Sequence, residues 1–177
     1  MTPFSKTPDG TVVVGFSAVE CDIIADLAAQ IAGMLGDIAG SDDADPLFDL
    51  VGIGGRSAID PDPAIARLLP DAYGDDSEAS GDFRRLTERS LASRKVANAR
   101  VVIATLERDS GHVELDEGDA QAWLRTLSDI RLTIAARLGI QSDGDEGATD
   151  SDAAVALHDL YDWLAFVTES LLDALED

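Results

Sequence analysis

The chain has 177 residues, 45% of them hydrophobic but only 5% aromatic, and its 13 basic against 35 acidic residues give a formal net charge of −22. This length buries a core without disulfides or metals, a core of Ala, Leu, Val and Ile favours packed helices over a sandwich or barrel, and so acidic a surface disfavours non-specific contact with nucleic acid or anionic lipid. No run approaches the ~18 to 20 apolar residues of a membrane span, MTPFSKTPDG lacks the apolar core of a signal peptide, and the lone Cys21 excludes an intrachain disulfide framework, so a cytoplasmic location is expected.

Thr11 to Phe16 (TVVVGF), entered from Asp9-Gly10, reads as a strand. Ser17-Ala-Val-Glu20 is a capping-box sequence opening a helix, on which Val19, Ile23, Leu27, Ile31, Met34 and Ile38 recur at core spacing until Gly36 to Gly40. Residues 41–61 read as a loop or partly ordered connection, and Gly52-Ile-Gly54-Gly55 within it matches neither the dinucleotide fingerprint nor the P-loop. Asp62 caps a short helix with Pro63 in its first position, stopped by Pro70.

A long helix is predicted from about Ser77 to Arg108, with Phe83, Leu86, Ser90, Ala97, Val101 and Ala104 as its core arc. Arg94 and Arg108 fall on or beside that arc and are expected to meet carboxylates from other elements. This stretch carries the chain's one positive segment. Residues 84–108 hold 7 basic and 2 acidic residues (+5), against 3 and 16 (−13) before them and 3 and 17 (−14) after. Arg85, Arg89 and Arg100 share a sector of the helix within ~60° and form the candidate partner-binding stripe.

Gly111 to Leu115 reads as a second strand that can pair antiparallel with the first. Asp116 caps the next helix, whose core face is Leu124, Leu127, Ile130, Ile134 and Leu138 with Trp123 on its flank, and Gly139 ends it. After a connection over 139–152, a last helix from about Asp152 to Glu176 turns Leu157, Leu160, Tyr161, Leu164, Val167, Leu171 and Leu175 inward. The expected architecture is mainly α, a helical bundle with a small antiparallel β-sheet of two or three short strands near residues 3–16 and 111–115. One domain is expected over 1–177.

Catalytic, metal and cofactor sites are not expected. His112 and His158 stand on different elements without ligands at metal spacing, and a lone His usually serves the surface or a cap. Asp143-Gly-Asp145-Glu146 and Asp150-Ser-Asp152 lack the positional order of an EF-hand loop. Cys21 lies in line with Ala25, Ala28 and Ala32 among Glu20, Asp22 and Asp26, which raise a thiol pKa. It is the one candidate redox residue, weighed against a structural cysteine. For the basic stripe three readings stand: an internal salt-bridge network including Arg84 and Glu88, a docking surface for an acidic or amphipathic partner, and direct DNA contact, which lacks a helix-turn-helix and meets a repulsive field.

The blocks DPAIARLLPDAY (62–73), FRRLTERSLASRKVANARVV (83–102), AQAWLRTLSDIRLTIAARLGI (120–140) and LYDWLAFVTESL (160–171) resemble, in order and spacing, those of the AosR-like actinobacterial family of oxidative-stress regulators. The resemblance implies a cytoplasmic, non-enzymatic, mainly helical regulator of oxidative-stress gene expression that acts through protein partners of the transcription machinery, such as a sigma factor. With Cys21 alone, an internal disulfide switch cannot operate. A homodimer is a further expectation, since Ala25, Ala28 and Ala32 allow close pairing; membrane binding and direct nucleic-acid binding are not expected. The alternative is a hydrolase-type enzyme with a carboxylate-rich cleft, marked by a pocket holding a carboxylate whose pKa burial has shifted.

Overall fold

The computed structural model describes residues 1–40, 62–70, 80–108, 111–142 and 144–176, with backbone alone over 80–86. The 41–61 segment with its glycines, the 71–79 connection, Asp143 and the side chains of Phe83, Arg84, Arg85 and Leu86 lie outside the described residues. The elements are β1 (Thr2–Lys6), β2 (Val12–Gly15), α1 (Ala18–Ala39), α2 (Pro63–Leu68), α3 (Ser80–Arg108), β3 (His112–Leu115), α4 (Glu117–Leu138) and α5 (Asp152–Glu176). The fold is mainly helical with a small antiparallel sheet, as the sequence implies.

Local chemistry sets the element ends. Ser17 Oγ accepts from Glu20 N, the Glu20 carboxylate accepts from Ser17 N at 2.7 Å, and both halves of the capping box are formed. Asp62 accepts from Ala64 N with Pro63 opening the helix, and Asp116 accepts from Asp119 N. Gly139 closes α4 in the left-handed conformation (φ 76°), and the backbone N–H groups of Gly139 and Ile140 satisfy carbonyls of its last turn. Each device meets backbone groups that a helix leaves unpaired at its ends.

The sheet runs in the order β1-β2-β3, antiparallel throughout, with Val13 opposite Glu114 and Val14 opposite Val113. Alternation sends Val12, Val14, Val113 and Leu115 into the core. Both outer strands are tied to helices, since Phe4 N donates to Ser170 Oγ on α5 (2.8 Å) and Arg108 at the end of α3 donates to Glu114 O on β3 (3.0 Å). A Cβ at Gly111, where φ is +95°, would stand 2.5 Å from Phe16 O. Gly111→Ala is therefore expected to lower stability by about 1–3 kcal/mol, read by denaturant unfolding.

Helices and sheet share one core, and Trp123 lies at its centre rather than on the flank of α4. It is wholly buried, stacked on Phe16 (5.8 Å between centroids, 6° between planes) and edge-on to Phe4. Its Nε1–H donates to Thr105 Oγ1 at 2.9 Å, which joins α4 to α3.

Two helices are rotated relative to the sequence expectation. On α1 the buried line is Ile24, Ala28, Ile31, Leu35 and Ala39, while Val19 is exposed. Ala25 and Ala32 pack beside this line, so the alanine face expected to pair with a second copy is occupied within the chain, where α1 lies chiefly against α3. On α3 the described side chains are turned the other way: Ala92, Val96, Ala99, Val102 and Leu106 are buried, whereas Ser90, Ala97 and Ala104 of the predicted arc are exposed and Val101 is half-buried. Arg94 and Arg108 accordingly sit at the surface instead of against the core. The two faces of α3 differ little in hydropathy because both are built of small residues, so tertiary partners decide the orientation.

Candidate functional site

The basic helix α3 is the feature with most charge to account for, and its cations divide between inside and outside. Lys95 extends along the buried side and its Nζ meets Asp129 Oδ1 of α4 at 2.5 Å, with the two side chains 17% and 6% exposed. Burial pushes the Asp129 carboxyl above its usual range, and the Lys95 ammonium draws it part of the way back. Arg89 is half-buried and donates from Nε to Ala39 O at 3.1 Å; Ser93 Oγ donates to the same carbonyl. Two α3 side chains thus hold the C-terminal end of α1 at its negative pole.

Arg94 and Arg100 remain outside. Both are exposed and make no hydrogen bond or ion pair among the described residues. On the helical wheel they stand about 120° apart, with Ser90, Ala97 and Ala104 between them. The outward face of α3 is a low strip of small side chains with a guanidinium on each margin.

Of the three residues singled out for partner binding, Arg89 is turned to α1, Arg100 is on the surface, and the Arg85 side chain lies outside the described residues. Arg94, missed as a surface residue, is the added member. Its signal was visible, since a guanidinium on an arc of small residues is costly to bury and argues that the arc faces water. Lys95 forms an ion pair with Asp129 of α4, and Arg89 and Arg108 donate to backbone carbonyls.

Cys21 is half-buried beside the core on α1. Burial raises its thiol pKa, and the Asp22 and Glu20 carboxylates raise it further. The thiolate is correspondingly scarce at neutral pH. Iodoacetamide at pH 8 is expected to alkylate Cys21 several-fold more slowly in the folded chain than in urea; equal rates would mean that the fold does not shield it.

The histidines are at the surface or at a loop, with His112 exposed beside Glu114 at 3.7 Å and His158 Nε2 against Ala148 O at 3.0 Å. The Asp145 carboxylate accepts from Gln141 N and Gly147 N, both at 3.0 Å, and organises the connection between α4 and α5; these bonds hold its pKa down. No group of three metal-ligating side chains occurs among the described residues. A hollow of about 240 Å³ opens between α1, α4 and α5, walled by Leu27, Ile31, Ile130, Ile134 and Leu157, with Gln30 and Arg137 as its polar lining. A carboxylate with a burial-shifted pKa in such a hollow would favour the hydrolase alternative. Asp129 and Asp119, whose pKa values are raised by burial, are not in its lining.

A family model described as a domain of unknown function, DUF2017, matches residues 1–175. The chain belongs to the DUF2017 family. Relatives named "Oxidative stress regulator AosR" from Mycobacterium bovis and Mycobacterium tuberculosis are 30% identical over 167 residues, covering 86% of this chain and 77% of theirs. A "Putative oxidative stress regulator AosR" from Mycobacterium leprae is 29% identical over 170 residues, covering 88% and 78%. No solved structure matches. The resemblance carried by the four sequence blocks is thereby borne out for the DUF2017 chain, and the names of its relatives support a regulatory role. No described helix is long and apolar enough to cross a membrane.

Proposed function

We propose that this DUF2017 protein is a non-catalytic cytoplasmic regulator of oxidative-stress gene expression that docks an acidic or amphipathic segment of a transcription-machinery protein, such as a sigma factor, on the outward face of α3. The carrying observation is that Arg94 and Arg100 are exposed and without a partner among the described residues, in a chain of net charge −22. Arginine suits such a role because its planar donors match carboxylates and its weak hydration lowers the cost of bringing it into an interface. The small side chains between the two arginines let a helix approach closely.

The test is affinity purification from the native cell, with and without oxidant, comparing the parent chain with Arg94→Ala/Arg100→Ala. A co-purifying transcription protein lost in the variant at unchanged folding supports the reading. Retention of that protein by the variant removes the α3 face from it. A second copy of the chain as the sole captured species would make the face a self-association surface instead.

A further inference from the structure

The hollow between α1, α4 and α5 is separate from the α3 face and has a chemistry of its own. Among the described residues this hollow of about 240 Å³ is partly open at the surface, and its apolar walls favour an occupant that takes them out of water. Leu27 and Ile31 from α1, Ile130 and Ile134 from α4 and Leu157 from α5 make its wall entirely aliphatic. Thr133 adds a methyl group, because its hydroxyl is committed to Asp129 O at 2.9 Å.

One charge lines this hollow. Arg137 is exposed, and its Nη2 has only the Met34 sulfur, 3.9 Å away, as a partner among the described residues. A cation in the last turn of a helix can serve to cap carbonyls, but here the Gly139 and Ile140 N–H groups do that. Gln30, exposed on the facing helix, brings an amide donor to the same hollow.

From this arrangement we infer that the junction is a binding site for a small aliphatic monocarboxylate, its chain in the hollow and its carboxylate on Arg137 and Gln30. The absence of an aromatic wall selects a flexible alkyl chain over a stacked ring. A volume above the roughly 150 Å³ that holds benzene, and below the roughly 300 Å³ at which drug-sized sites begin, suits about six to ten carbons. The guanidinium matches a carboxylate with two parallel N–H donors. A dianion is disfavoured, since the surrounding charge of −22 repels it more than a monoanion.

The probe is sodium octanoate, titrated into the intact chain and followed by methyl NMR, with 1-octanol as the uncharged control. Saturable shifts confined to the methyls of Ile31, Ile130, Ile134, Leu27 and Leu157 are expected, with 1-octanol binding at least tenfold more weakly. Arg137→Gln should cost at least tenfold in octanoate affinity and leave 1-octanol unaffected, and Leu157→Trp should abolish both. Gln30→Trp, a change at an exposed position, blocks the hollow without touching the core if Leu157→Trp fails to fold. Non-saturating shifts spread over the surface, equal affinity for the two probes, or full octanoate binding by Arg137→Gln would overturn the assignment.

Discussion

Lys95→Met is expected to destabilise the protein by about 3–5 kcal/mol at pH 8, because it leaves the Asp129 carboxylate buried without its counter-charge. The loss should shrink as the medium becomes acid. Burial already holds the Asp129 pKa above 3.8 in the folded state, so the folded chain binds this proton more tightly than the unfolded chain does. Stability conferred at this site therefore falls as pH rises from about 3.8 through the raised folded pKa. Removing Lys95 withdraws an influence that lowers that pKa, so the folded value climbs and the pH-dependent window widens upward. Urea unfolding at pH 5 and pH 8 reads the difference; a loss of equal size at both would mean that Asp129 is not the group left exposed to the change. Asp129→Asn, which keeps an acceptor for Lys95, should cost less, and Lys95→Met/Asp129→Leu should recover much of the single-variant loss, since apolar replacement of a whole buried pair is often neutral.

The second large effect is expected at Trp123. Trp123→Ala removes the largest wholly buried side chain, its stacking on Phe16 and its edge contact with Phe4, and should cost about 3–5 kcal/mol. That is a large part of the roughly 5–15 kcal/mol that holds a domain folded. Trp123→Phe keeps most of the ring contact but leaves Thr105 Oγ1 without its donor, for a loss of about 1–2 kcal/mol. Near-ultraviolet circular dichroism together with guanidinium unfolding checks both. A Trp123→Ala chain of near-parental stability would contradict the position of this residue at the centre of the core.

What could be read before the fold was known is what is local. The capping box at Ser17 and Glu20, the Asp62-Pro63 start, the Asp116 cap and the Gly139 stop are each settled within four residues, because side chain and orphan backbone group belong to the same turn. The strand at 12–15 announces itself as a β-branched run after Asp9-Gly10 and that at 112–115 by alternation, and the two pair antiparallel as expected. Rotation of a helix about its axis is another matter. Periodicity finds the core face only where the faces differ; α1 is apolar over most of its circumference, and α3 carries small residues on both sides. The inward side of α3 also carries Lys95, whose ammonium is received by a carboxylate 34 residues away, Asp129. No local pattern contains that pairing.

The candidate site was legible in the same degree. The concentration of cations in 84–108 is a matter of counting, but their assignment to inner and outer roles depends on the carbonyl of Ala39 and the carboxylate of Asp129, both distant in sequence. Arg89 and Arg100 share a sector of one helix yet differ in surroundings: α1 ends beside the first and supplies a carbonyl, while the second stays in water.

The division of α3 into cations that hold the fold and cations left for a partner is tested most directly by unfolding midpoints of two variants measured side by side. Arg94→Ala/Arg100→Ala should melt within about 2 °C of the parent, since exposed charges contribute little, while Lys95→Met should fall by about 6 °C or more. A double-arginine variant that melts as low as Lys95→Met would show that the outward guanidiniums are already consumed by the protein itself, and the docking face would be lost with them.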